Sequence, residues 1–295
     1  MQTTTKSLIS AVDHATVPSI DLLADFAFYK KLFGAELSKR NGMVNFSIAR
    51  RKAGRAPIFF LDLAGVSGFG LFLQDEYPPP AKRLLEGPRY GFATLASDLG
   101  DAAKVLEDAG IKAMGPVEHP RESPIRQSLY FKDPSENSLE LMVWRDVPPN
   151  LREPKSAGGL IPLRGICHIA LDVTDLEGAE DFYVTGLGLE PLYRGKTADG
   201  LNSSALSTAH GHIFTLQQVE RMSERSIKKY RSDTHCAVRV ERAAFPVIEA
   251  EMMRRKVPLL PDYVAGDGNR HPDDRDVYMV DPFGNNVQVF TGHTH

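Results

Sequence analysis

From Ala11 the chain alternates apolar and polar residues and then passes into DLLADFAFYKKLFG, where apolar residues recur at helical spacing and a glycine closes the run. This pattern predicts a strand followed by an amphipathic helix that ends on Gly34. The same order returns from Gly165 to Pro191: at one offset of 154, His14 falls on His168, Phe28-Tyr29 on Phe182-Tyr183 and Gly34 on Gly188. A second pair of segments recurs later in each half, YFKDPSENSLELMVW from Tyr130 and YMVDPFGNNVQVFTG from Tyr278. Each reads strand, Asp-Pro turn, strand, because Pro presets a turn and Gly or Asn tolerates positive φ between alternating flanks. Helix-like AAKVLEDAG, from Ala102, and AAFPVIEAEMMRRKV, from Ala243, each follow a short strand and precede the last hairpin of their half. Pro246 suits only the first turn of its helix. The expected fold class is α+β: βαβββ four times, with mixed, curved sheets instead of a doubly wound parallel sheet. No GxGxxG or Walker loop competes with it.

Between Trp144 and Leu163 lies RDVPPNLREPKSAGGLIP, whose Pro, Gly and charges propagate neither periodicity and predict a linker. The expected organisation is an N-terminal domain over residues 1–148, a linker over 149–162 and a C-terminal domain over 163–295, superposable and with two modules each. A length of 295 residues suits two cores. With 42% hydrophobic and 25% charged residues and a formal net charge of -3, neither nucleic acid nor an anionic membrane is indicated as partner, and a small or neutral ligand fits better. No apolar run reaches membrane-spanning length and the first residues hold no signal-peptide core, so a cytoplasmic location is expected. Cys167 and Cys236 are too few for a disulfide framework and read as buried small hydrophobes.

Candidate chemistry concentrates in the C-terminal half. His168 and His235 sit where two module-opening strands begin, and Gln288 holds the equivalent place on the last strand, seven residues after Asp281. Two imidazoles and an oxygen donor are what a three-ligand ferrous site needs, since the remaining positions stay open for substrate and dioxygen. Cys167 and Cys236 alternate with the histidines and are expected to face away from them.

With these residues the chain resembles the type I extradiol dioxygenases of the vicinal-oxygen-chelate superfamily, over nearly its whole length. The resemblance implies a homo-oligomeric enzyme that cleaves a small aromatic diol with O2. It implies His168 and His235 as ligands of Fe(II), with Mn(II) or another divalent ion as substitutes, and Gln288 in the third ligand's place. In STAHGHIFTL either His210 or His212 matches the family's proton-transfer histidine. In NRHPDDRDVYMVDPFGNNVQVF, His271 matches its second pocket histidine and Tyr278 its substrate-hydroxyl tyrosine, with Asp274 a weaker match.

The family carries glutamate where this chain has Gln288, which keeps an oxygen donor and gives up a negative charge. His14 and Glu140 stand in the N-terminal half at the positions of His168 and Gln288, while the counterpart of His235 falls near Gly91. The resemblance implies a metal-free N-terminal domain. It also offers a cross-domain arrangement, found in hydroquinone-cleaving relatives, in which His14 joins His235 and Gln288. Two other function classes stay open: a non-redox isomerase or lyase using the metal as a Lewis acid, and a metal-free binding protein. The terminal His293 and His295 read as a flexible tail.

Overall fold

The first strand, β1 (Ile9–Ser19), feeds directly into helix α1 (Leu22–Phe33). The Asp21 carboxylate starts the helix by accepting from the backbone N–H groups of Leu23 and Ala24, and Gly34 ends it at φ 67°. Strands β2 (Glu36–Leu37), β3 (Val44–Asn45), β4 (Ile58–Leu63) and β5 (Ser67–Leu73) complete the first module. The second runs β6 (Arg89–Thr94), α2 (Gly100–Asp108), β7 (Ala113–Glu118), β8 (Ile125–Lys132) and β9 (Ser138–Trp144). The third opens with β10 (Leu163–Val173) and α3 (Leu176–Glu180), capped by Asp175 and continued by a π-helical turn over Asp181–Gly186. It closes with β11 (Glu190–Lys196), β12 (Asn202–Ser207) and β13 (Ile213–Gln218). After α4 (Glu224–Ile227) the fourth comprises β14 (Cys236–Val240), α5 (Phe245–Arg254), β15 (Leu260–Pro261), β16 (Asp276–Val280) and β17 (Asn286–Phe290), with Pro246 in the first turn of α5. The computed structural model describes residues 7–38, 44–45, 57–74, 76, 79–151, 153–154, 158–227, 234–261 and 274–292. The α+β reading of repeated βαβββ modules therefore holds. Among the described residues no helix is long and apolar enough to cross a membrane.

The modules combine differently from the expected halves. The first and fourth share a nine-stranded sheet, where β1 pairs antiparallel with β14. The second and third share an eight-stranded sheet, where β10 pairs antiparallel with β6. Each sheet thus takes one module from residues 1–148 and one from 163–295, and neither half closes a sheet of its own. His14 and His168 do occupy equivalent strands. Both β1 and β10 have an antiparallel neighbour on one side and a parallel one on the other, and both shift register just before the histidine, between Val12 and His14 and between Ile166 and His168. Such a bulge re-aims the side chain that follows it.

One apolar core lies between the sheets. Phe69 of β5 packs against Tyr90 and Phe92 of β6, with ring centroids 6.1 and 5.6 Å apart, and Ala15, Val17, Ile169 and Leu171 join the same cluster. Burying an aromatic or branched aliphatic side chain there contributes about 1.5–3 kcal/mol each. The repeated Tyr and Asp-Pro segments meet beside this core. Tyr29 donates its hydroxyl to Asp133 Oδ2 at 2.8 Å, and Tyr183 does the same to Asp281 Oδ2 at 2.9 Å. Asn137 and Asn285 close the two turns by donating to the same aspartates. Since residues at odd positions such as Ala15 and Ile169 face the core, strand alternation sends His14 and His168 to the outer faces of their respective sheets.

Candidate metal centre

The outer face of the nine-stranded sheet gathers side chains from both ends of the chain. His14 lies on β1, and His235 immediately precedes β14. Gln288 lies on β17, whose neighbours Val287 and Val289 are in the core. All three are buried. His14 Nε2 and His235 Nε2 stand 3.1 Å apart with their rings near perpendicular. Tyr278, the cross-strand partner of Gln288, sets its ring centroid 5.1 Å from that of His235. Phe60 and Phe290 flank His14 at 5.4 and 6.0 Å, and Phe72 stands 6.5 Å from His235, so the imidazoles sit within an aromatic wall.

The donors are oriented from behind. Asp13, exposed to His14 by the bulge, places Oδ1 3.0 Å from His14 Nδ1, which favours a proton on that nitrogen and a lone pair on Nε2. The His235 ring places Nδ1 3.3 Å from the Thr16 hydroxyl. Gln288 donates Nε2 to both oxygens of Asp276 at 2.9 Å, and its carbonyl Oε1 is buried with no hydrogen-bond partner. An orphaned buried acceptor of this kind costs about 1–3 kcal/mol unless something satisfies it.

These residues fit a divalent ion. Two imidazole nitrogens bound side by side at about 2.1 Å each stand roughly 3 Å apart when the bonds meet near a right angle, and the observed separation is 3.1 Å. The Gln288 carbonyl oxygen, without a hydrogen-bond partner, would be the third donor to such an ion. No fourth comes from β5: the place facing Thr16 is Gly70, where an added Cβ would fall 2.8 Å from Phe72 and Thr16 side-chain atoms. Among the described residues no three His, Cys, Asp or Glu side chains converge in metal-binding geometry, since the third donor here is an amide.

His168 is not part of this group. It lies on the outer face of the eight-stranded sheet, across the inter-sheet core, where Nε2 is 2.8 Å from Thr215 Oγ1 and Nδ1 is 3.0 Å from Glu140 Oε2. The grouping of His168 with His235 and Gln288 therefore gives way to one with His14, because the sheets exchange modules between the halves. The pairings Ala237↔Gln288 and Gly91↔Glu140 are equivalent, which puts Arg89, two residues before Gly91, in the place of His235. Arg89 donates Nε to Glu140 Oε2 at 3.0 Å and Nη1 to Leu85 O at 2.7 Å, so a guanidinium fills this second centre. Burial alone would raise the Glu140 carboxyl, but His168 and Arg89 beside it hold it well below the usual carboxylate range. Ile125, Met142, Trp144, Cys167 and Ile213 pack the rest of that face. Gly91 is required there, since an added Cβ would come 2.7 Å from His168 Cβ.

The remaining expectations divide. His212 Nδ1 accepts from the Val12 backbone N–H at 3.0 Å, and with His210 it lines a cavity beside Asp13, Arg164 and Arg239 in place of facing Gln288. Asp274 is ion-paired with Arg242 at 3.0 Å. His271, His293 and His295 lie outside the described residues. Burial pushes both thiols, Cys167 and Cys236, up to about 12, as suits unreactive core residues. Cys236 faces the core, whereas the bulge turns Cys167 into the apolar outer cluster. Asp13, Asp276 and Arg89 are additions. Only Asp276 carried a signal in the sequence, standing two residues before Tyr278 and so on the same strand face.

Residues 11–141 match the family model of the Glyoxalase/Bleomycin resistance protein/Dioxygenase superfamily. A structure of a candidate dioxygenase from Bacillus subtilis subsp. subtilis str. 168 superposes with a TM-score of 0.67 at 15% identity, covering 97% of this chain and 86% of that one. Glyoxalase I from Zea mays superposes with a TM-score of 0.64 at 16% identity, covering 95% of this chain and 92% of that one. At these identities the likeness is one of fold.

Proposed function

From a chain with the fold of the glyoxalase/bleomycin resistance/dioxygenase superfamily, we propose a metal-dependent oxygenase that cleaves the ring of a small dihydric phenol at the centre formed by His14, His235 and Gln288. The observation that carries this reading is the convergence of two imidazole Nε2 atoms, 3.1 Å apart, with the orphaned Gln288 Oε1 on one sheet face. The aromatic wall of Phe60, Phe72, Tyr278 and Phe290 supports an aromatic substrate, because such rings favour edge and offset contacts with another ring.

A ferrous ion held by these three residues supplies, when bound, a common place for the substrate's oxygens and for dioxygen. The protein's own contribution is orientation and proton control. Asp13 fixes the His14 tautomer and Asp276 the Gln288 amide. The phenylalanines hold the ring and keep water out, which strengthens every charge interaction inside. Tyr278, beside His235, is the group placed to hold or pass a proton at a substrate hydroxyl.

The neutral amide ligand favours one second reading, a non-redox isomerase or lyase in which the ion polarises an enolate-like intermediate. Protein purified anaerobically with Fe(II) separates the two. Oxygen uptake with catechol or hydroquinone, stoichiometric with ring-opened product, is the expected result. Bound iron without oxygen uptake would transfer the site to the second reading, and absence of bound iron would remove both.

A further inference from the structure

We propose that Asp276 is a positioning residue for the metal: it locks the Gln288 amide with its oxygen towards the ion, and it restores from one bond away the negative charge that an amide ligand lacks. This deepens the reading of His14, His235 and Gln288 as a metal centre and rests on it.

The geometry begins with register. On β16 and β17, Tyr278 pairs with Gln288 and Asp276 with Phe290, so Asp276 lies diagonally across from Gln288 on the same sheet face, within reach of a long side chain. Gln288 Nε2 donates to Asp276 Oδ1 and Oδ2, both at 2.9 Å. An amide can be turned over with no change of shape, and only its partners choose between the two orientations. Here the choice is strongly biased. The reverse orientation would put the carbonyl oxygen 2.9 Å from two carboxylate oxygens in a buried site and turn a charge-assisted bond into a repulsion. The nitrogen is therefore held by Asp276, and Oε1 is left as a buried acceptor without a hydrogen-bond partner. A protein leaves such an atom unsatisfied at a cost, and a cation is the partner it suits.

Charge completes the argument. Two neutral imidazoles and an amide leave a divalent ion's charge uncompensated in a low-dielectric site, whereas a carboxylate hydrogen-bonded to a ligand polarises that ligand and stabilises the ion through it. Asp276 and Gln288 together do what a single glutamate does at such a site, with the charge moved outward by one hydrogen bond. A simple restoration of glutamate at position 288 would then set two carboxylates against each other.

Mn(II) titration of the metal-stripped full-length protein, followed by electron paramagnetic resonance, tests this without reference to turnover. Asp276→Asn is expected to weaken Mn(II) binding about 10–100-fold. Gln288→Glu in the Asp276→Asn background moves the charge onto the ligand and should recover wild-type affinity or better, a rescue that a merely structural role for Asp276 would not give. Thermal melts of each metal-free variant establish folding, and should Asp276→Asn fail to fold, the double variant still carries the test. Wild-type affinity in Asp276→Asn, or no recovery in a folded double variant, overturns the role of Asp276 while the centre stands, provided His14→Ala and His235→Ala abolish Mn(II) binding. If those two histidine variants bind Mn(II) as the wild type does, the centre itself falls and the proposal with it.

Discussion

Arg89 Nε lies 3.0 Å from Glu140 Oε2, so in the eight-stranded sheet a guanidinium and a carboxylate occupy the places that His235 and Gln288 hold in the other sheet. One of two equivalent places carries its own cation, and the other presents the Gln288 carbonyl, an acceptor without a hydrogen-bond partner. Arg89→Met strands a buried carboxylate and is expected to cost about 3–5 kcal/mol in denaturant unfolding at pH 7. Wild-type Glu140 is held below its unfolded value of about 4.3, so its stabilising contribution is present above that pH and is lost as pH falls. In Arg89→Met the carboxyl is held down by His168 and Ser128 without the guanidinium, so its folded value moves up towards the unfolded one. The deficit relative to wild type should therefore be smaller at about pH 3, below the unfolded value, than at pH 7. An equal deficit at both would mean that Arg89 acts through packing alone.

His14→Ala and His235→Ala should each abolish Fe(II) binding while His168→Ala leaves it unchanged, as measured by metal content after anaerobic reconstitution. Loss of iron in His168→Ala and His235→Ala but not in His14→Ala would favour the grouping read from the C-terminal half.

Tyr278→Phe keeps the ring beside His235 and removes the hydroxyl. With bound iron unchanged, turnover of the diol should fall on the order of 10²-fold, with the loss in kcat exceeding any change in KM. An unaltered kcat would reduce Tyr278 to a wall residue.

Burial, then the neighbouring charge of Asp25, pushes the Asp133 carboxyl up to about 7. A carboxyl raised in the folded state contributes stability that is complete below its unfolded value of about 3.9 and is lost as pH rises towards 7. The melting temperature should therefore decline between about pH 4 and 7. Asp25→Asn, which removes the facing charge, should flatten that decline. An identical pH profile in the variant would show that the two carboxyls do not act on each other.

Much of this fold was legible in the chain. The two helices ending at Gly34 and Gly188 and the two Asp-Pro hairpins were readable because caps, turns and alternation are local, and the recurrence of Phe-Tyr with Asp-Pro turns out to be a physical clasp from Tyr29 to Asp133 and from Tyr183 to Asp281. His235, Tyr278 and Gln288 were legible together because they belong to one module. What alternation cannot specify is which module lies alongside: the period of two in β1 suits β14 or β6 equally. That ambiguity is why the sequence leaves His168 and His14 as alternatives beside His235 and Gln288. The bulge that turns Asp13 towards His14 leaves no mark in hydropathy, and Asp276, the first residue of β16, follows turn-like residues in the sequence where nothing but strand spacing distinguishes it.

The exchange of modules between the halves has a consequence for assembly. The strand of His14 pairs with β14, and β14 in turn with β17, so His14, His235 and Gln288 meet only when segments from both halves pair. A chain severed within 149–162 yields two pieces, each holding an incomplete share of both centres and an open strand edge, β1 and β6 on one and β10 and β14 on the other, that seeks the complementary piece. The proposed centre of His14, His235 and Gln288 is thus incomplete in either piece taken alone.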